Sequence, residues 1–246
     1  MAQIKKKLKK FGRYTWELFK SSLPSLFMYL CASSILLMLT MKGETLKWNS
    51  KQLSWTVVCA LGALAYHALV AWASGGTQYE MLVSGNIKRT ASDAYGNEYK
   101  MSTHKEAKEY RPWKGFVIGA FSAMFVVLTA IVFGCNQTRI DAQQTKGGLG
   151  VLMIILFFLS GWSILPFYYM NGAGISVSYF LSGLMALLPI VVSGGMYIAG
   201  AYSRRNKAIR QQMLADQEAA AAAEREKNKK INYGGLPGTK PKKKRK

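Results

Sequence analysis

Few residues of this 246-residue chain have the type and spacing that chemistry requires. It contains two histidines. His67 falls inside a long apolar run, and a titratable group at membrane depth is by default a candidate site. A proton path needs a relay, however, and the run holds no Asp or Glu. The expected role is therefore a neutral imidazole hydrogen-bonded to a neighbouring backbone group or serine. His104 stands near Glu106 and Glu109 but lacks the His-Glu-x-x-His order and any second nearby histidine. A solvated charged stretch is expected there rather than a metal site. Cys31, Cys59 and Cys135 show no paired spacing, so no disulfide framework is expected. No nucleophile motif, phosphate-cradling glycine loop or carboxylate pair stands out. The sequence is read as that of a non-enzyme without metal or cofactor.

The elements around His67 are set by where charge is absent. Five apolar runs stand out, at about 23–41, 53–74, 113–134, 149–170 and 175–202. No Asp, Glu, Lys or Arg lies between Leu149 and Tyr202. At about 1.5 Å per helical residue the last two runs would reach roughly 33 and 42 Å, each enough for a hydrocarbon core of about 30 Å. The 33 basic and 12 acidic residues fall in 1–20, 42–52, 75–114, 135–148 and 203–246. A charge at a helix centre costs about 2.5–3.5 kcal/mol on insertion, which accounts for this segregation. A soluble bundle would interleave charge every three or four positions. The fold class read from the sequence is thus all-α, a polytopic helical membrane protein with five hydrophobic segments. It carries an N-terminal amphipathic basic helix and a helical basic C-terminal tail.

Residues 1–20 place Ile4, Leu8, Phe11 and Leu18 at helical spacing, with Lys5, Lys6, Lys7, Lys9, Lys10 and Arg13 between them and Trp16 at headgroup level. An interfacial helix on anionic lipid is expected, each nearby cation contributing about 1 kcal/mol. The first span is read as a retained signal-anchor beginning near Leu23, with Pro24 harmless in its first turn. In the second span Cys59, Ala63, His67 and Ala71 recur every four residues and form one packing face. Residues 75–112 are read as a polar loop punctuated by Gly75-Gly76, Gly85-Asn86 and Gly96-Asn97, with a short charged helix over Met101–Tyr110. The third span opens with Gly115, Gly119 and Ala123 on one face, a small-residue pattern that lets another helix approach, here expected within the chain. Pro166, Asn171, Gly172, Gly174 and Pro189 are the candidate helix breaks. A helical extension over 203–230 and a flexible polybasic tail over 231–246 complete the chain.

Charge also orients the segments, and here the sequence conflicts with itself. The positive-inside rule places the N-terminus, loop 75–112 and the tail after Arg204 in the cytoplasm. Five crossings cannot satisfy all three. Either the rule fails at the tail, or one run, 149–170 or 175–202, does not cross. Compact size and short loops fit a bacterial cytoplasmic membrane. The net charge of +21 points to anionic membrane lipids as partners, with nucleic acid not expected. The functional expectation is an accessory or scaffold subunit packed against a larger membrane-protein partner. The alternative is a small transporter or channel component with residues 149–202 lining the path. Oligomeric state and biological process are not legible.

Overall fold

The computed structural model describes residues 2–40, 50–83, 90–92, 98–100, 109–142 and 147–233. Its helices are α1 (Ala2–Thr40), α2 (Ser50–Val83), α3 (Trp113–Cys135), the short α4 (Gln137–Asp141), α5 (Gly148–Gly172) and α6 (Leu187–Tyr233). A 3-10 helix, Tyr179–Ala186, leads into α6. Strands β1 (Thr90–Ser92) and β2 (Glu98–Lys100) pair antiparallel, with Ala91 opposite Tyr99. Five of the helices are long and apolar enough to cross a membrane. The chain divides into two compact units, Met1–Tyr202 and Ser203–Lys246.

Several element bounds differ from the expectation. The basic segment 1–20 is not separate from the first span, because α1 is continuous from Ala2 to Thr40. Pro24 therefore sits in a helix interior rather than a first turn. Just before it, Ser21 and Ser22 donate to the carbonyls of Glu17 and Phe19 at 3.0 and 2.7 Å. Helix α2 also runs past Gly75-Gly76 to Val83, which removes the first part of the expected loop. The β1–β2 ribbon was not anticipated. Of the helix expected over Met101–Tyr110, residues 101–108 lie outside the described residues, as does the tail beyond Tyr233, while Glu109 and Tyr110 are not helical.

Within Met1–Tyr202, ring and glycine contacts set the helix directions. Helices α1 and α3 run together: Tyr14 meets Trp113 at 6.0 Å between ring centroids and Phe19 meets Phe121 at 5.9 Å. The stretch 179–202 runs back along α3. Phe180 packs on Gly134, Gly183 on Ala130, Ile190 on Gly119 and Tyr197 on Gly115. Helix α2 crosses α6 backbone to backbone, where a Cβ on Gly75 would lie 1.9 Å from the Tyr197 carbonyl oxygen. A Cβ on Gly200 would lie 2.0 Å from that of Trp72. Tyr14, Gln78, Trp113 and Tyr197 consequently share one end, here called proximal. Cys135, α4 and Tyr179 share the other, the distal end.

Helix α5 does not traverse this bundle. Ser160 has φ −145° and ψ 25°, outside helical values, and divides α5 into two limbs. Phe157 and Tyr168, one on each limb, meet edge to face at 5.6 Å. In a straight helix their positions would be roughly 16 Å apart along the axis. Both ends of α5 are distal. Near its start Met153 packs with Ile140 and Phe133. Just before its end Asn171 binds Val177, which also binds Gln137. The tip, residues 160–165, is buried without a break.

The tip is held by hydroxyls. Ser160 pairs with Thr129 of α3, and the backbone N–H of Trp162 donates to Ser33 Oγ of α1 at 3.3 Å. That N–H lies in the first turn of the second limb, where helical N–H groups run short of intrahelical acceptors, and Ser33 supplies one. The break at Ser160 corrects the expectation for Pro166 and Pro189. The second limb runs on through Pro166 to Gly172. Pro189 is the third residue of α6, where helical N–H groups lack intrahelical acceptors anyway. Asn171, Gly172 and Gly174 do fall where α5 ends, and Gly174 has φ +84°. Asn171 clamps the extended segment 175–178, accepting from Val177 N at 2.6 Å and donating to Val177 O at 2.8 Å. The run 175–202 is therefore three pieces rather than one span: extended, 3-10 and α-helical.

In the second unit the helix continues to Tyr233, and every side chain over 205–228 is exposed. Runs of Ala and long straight-chain residues such as Glu, Lys, Gln and Arg favour this helix without tertiary support.

Candidate functional site

The face of α2 singled out by its spacing is the one turned inward. Ala63, His67 and Ala71 are buried and Cys59 is half-buried. Their small neighbours let α1 approach until Tyr29 Oη stands 2.8 Å from His67 Nδ1. The partner of His67 is thus a tyrosine on another helix, not the backbone group or serine expected. A phenol is the better donor of the two, which assigns the ring proton to Nε2. The Tyr29 ring in turn stacks on Trp162, at the α5 tip, with centroids 5.1 Å apart.

On its other side His67 lines a small cavity with Ser21 and Ser25 of α1, Val70, Ala71 and Ser74 of α2, Ile118 of α3, and Ser193 and Tyr197 of α6. Its free space is about 10 Å³ for the centre of a water molecule, close to the room that one water needs. Three atoms of lining residues, Ser25 Oγ, His67 Nε2 and Ser193 Oγ, are buried without a hydrogen-bond partner among the described residues. An unmatched buried polar group costs roughly 1–3 kcal/mol. Toward the proximal end the cavity is bounded by Tyr197, whose hydroxyl donates to Gln78 at 2.5 Å and whose ring stacks on Tyr110 at 5.3 Å. Burial pushes the Tyr110 phenol above its ordinary value, with Tyr202 and Tyr79 adding to the shift. No charged side chain lines the cavity.

Two features of this region were missed in the sequence. Ser21, Ser25, Tyr29 and Ser33 recur every four residues along α1, a polar face readable by the rule that marked the face of α2. Lys114 is fully buried at the proximal end. Its ammonium donates to the Glu109 carbonyl and lies 5.5 Å from the centre of the Tyr14 ring.

The remaining candidates lie apart from this cavity. Gly115, Gly119 and Ala123 are buried, with Gly115 and Gly119 packed on α6 of the same chain. Among the N-terminal cations Lys5, Lys7, Lys9 and Arg13 are exposed. Trp16 is exposed and stacks on Phe19 with Lys20 5.8 Å from its ring centre. The side chains of Lys6 and Lys10 lie outside the described residues. Among the described residues no group of three or more His, Cys, Asp and Glu is placed to hold a metal ion. No protein family, curated protein or solved structure matches the chain.

Proposed function

We propose that this chain is a non-enzymatic integral membrane protein that acts as an accessory or scaffold subunit of a larger membrane assembly. In this reading α1, α2, α3 and the 179–202 stretch cross the bilayer, and α5 enters and leaves on the distal side. The N-terminus, the segment between α2 and α3 and the tail after Tyr202 then share the cytoplasmic side of a bacterial membrane. Four crossings and one re-entrant hairpin remove the conflict in the charge distribution. Buried non-crossing backbone of this kind is tolerated where protein covers it, and residues 160–165 are covered.

The observation that carries the subunit reading is the size of the interior space. The cavity beside His67 has room for about one water, too little for a larger solute. The surfaces available for partners are outside: the exposed cations of α1 for anionic lipid headgroups, and the exposed helix 205–228 for a protein partner. Purification in mild detergent should yield a stoichiometric membrane partner. A solitary protein that conducts in liposomes would sink the reading.

The second reading, a small transporter or channel component, is favoured by the folded-back α5 and the 3-10 segment beside it. Discontinuous helices of this kind recur where transporters bind solute. Topology can be tested separately with single cysteines in a background lacking Cys31, Cys59 and Cys135. An impermeant thiol reagent should label Ala142→Cys and Ala173→Cys on intact cells and Asn206→Cys only after permeabilisation. Labelling at 206 on intact cells would overturn the four-crossing arrangement.

A further inference from the structure

We infer that the cavity between α1, α2, α3 and α6 is a water-binding site, in which one water accepts from His67 Nε2 and donates to Ser25 Oγ and Ser193 Oγ. The inference stands whether the chain is a subunit or a transporter component. Three polar atoms from three helices belong to residues lining one cavity, and none has a hydrogen-bond partner among the described residues. The residues that carry them are at most 1 % exposed. Internal waters make about three hydrogen bonds to otherwise unmatched groups, which is the number offered here. A packing defect of the same volume would be lined by apolar groups and would stay dry. This lining is instead serine, histidine and tyrosine, with Val70, Ala71 and Ile118 between them.

The geometry also fixes what the site excludes and where it opens. With space for a single water, larger solutes have no room. Inward, the stacked rings of Tyr29 and Trp162 lie beyond the other nitrogen of His67. Outward, Ser21 is exposed and Ser74 half-buried, so exchange runs toward the proximal end. The water links α6 to α1 and α2 and holds the His67 ring from the side opposite Tyr29. His67 is thereby a positioned group at the blind end of a hydrated pocket, rather than a relay across the protein.

The chain has one other histidine, His104, so His104→Gln with ¹⁵N-labelled histidine leaves a single imidazole to observe. In lipid nanodiscs the full-length protein should show a protonated His67 Nε2 with a cross-peak to water. Ser193→Val, which fills the space and removes an acceptor, should abolish that cross-peak. No water cross-peak in the parent, or one undiminished in folded Ser193→Val, overturns the proposal. If Ser193→Val does not fold, Ser25→Ala decides. It should shift the Nε2 resonance, and an unmoved resonance counts against the site.

Discussion

Tyr29 Oη and His67 Nδ1 stand 2.8 Å apart and join α1 to α2 by a direct side-chain hydrogen bond. Removing the hydroxyl leaves a ring nitrogen buried and unmatched. Tyr29→Phe is expected to destabilise the folded protein by about 1–3 kcal/mol. A double-mutant cycle with His67→Phe should return a coupling of roughly 0.5–2 kcal/mol, since polar pairs between membrane helices are modest. Unfolding in graded denaturing detergent measures both. A coupling of zero would show that the contact contributes nothing.

The crossing of α2 and α6 leaves no room for a side chain at two glycines. Gly75→Ala and Gly200→Ala place a methyl about on top of backbone oxygens, at 1.9 and 2.0 Å. Each should cost about 3 kcal/mol or more, because backbone has to shift. Gly62 faces open space, with nothing within 4 Å of an added Cβ. Gly62→Ala should be neutral or stabilising by up to about 1 kcal/mol through helix propensity. Equal effects at the three sites would contradict the crossing.

Folding back of α5 makes a distance prediction. Phe157→Cys with Tyr168→Cys, in the background without Cys31, Cys59 and Cys135, should be joined by a bifunctional thiol reagent with a span of about 5–8 Å. A straight helix would hold these positions roughly 16 Å apart and resist it. Mass spectrometry of the digested product reads the crosslink directly. Its absence would mean that α5 is a through-span.

The Asn171 clamp should be felt locally. Asn171→Ala removes both hydrogen bonds to Val177. With roughly 1.4 kcal/mol per factor of ten, amide exchange at Val177 should quicken about tenfold or more. Exchange along α3 should stay within about twofold of the parent, because the loss is confined to the extended segment. Unchanged exchange at Val177 would remove Asn171 as the clamp.

How legible these features were depends on what signal each one leaves in composition. The apolar runs were read from charge segregation, and α3 ends within a residue of its expected bounds. Boundaries set by tertiary contact were not legible. Gly75 reads locally as a loop residue, yet it lies within α2, where its missing side chain lets the Tyr197 carbonyl approach. Prolines drew attention as breakers, whereas the bend is at Ser160, whose place is held by Thr129 on another helix. His67 was visible as a lone titratable group. Its setting was not, since Ser25 and Ser193 become meaningful only once three helices converge on one space.

The tip of α5 also implies an order of assembly. Each limb, 148–160 and 161–172, is about 18–20 Å long, well short of a bilayer core of about 30 Å. Neither is held across lipid by its own length. The hydroxyls that receive the tip belong to Thr129 and Ser33, on α3 and α1, which leave the ribosome first. In the proposed four-crossing arrangement the earlier helices offer a berth, which the later hairpin enters instead of passing directly into lipid. A nascent chain cut short after Asp141 would already contain both hydroxyls, whereas Tyr179 and Ala186, which also pack on the hairpin, follow it in the chain.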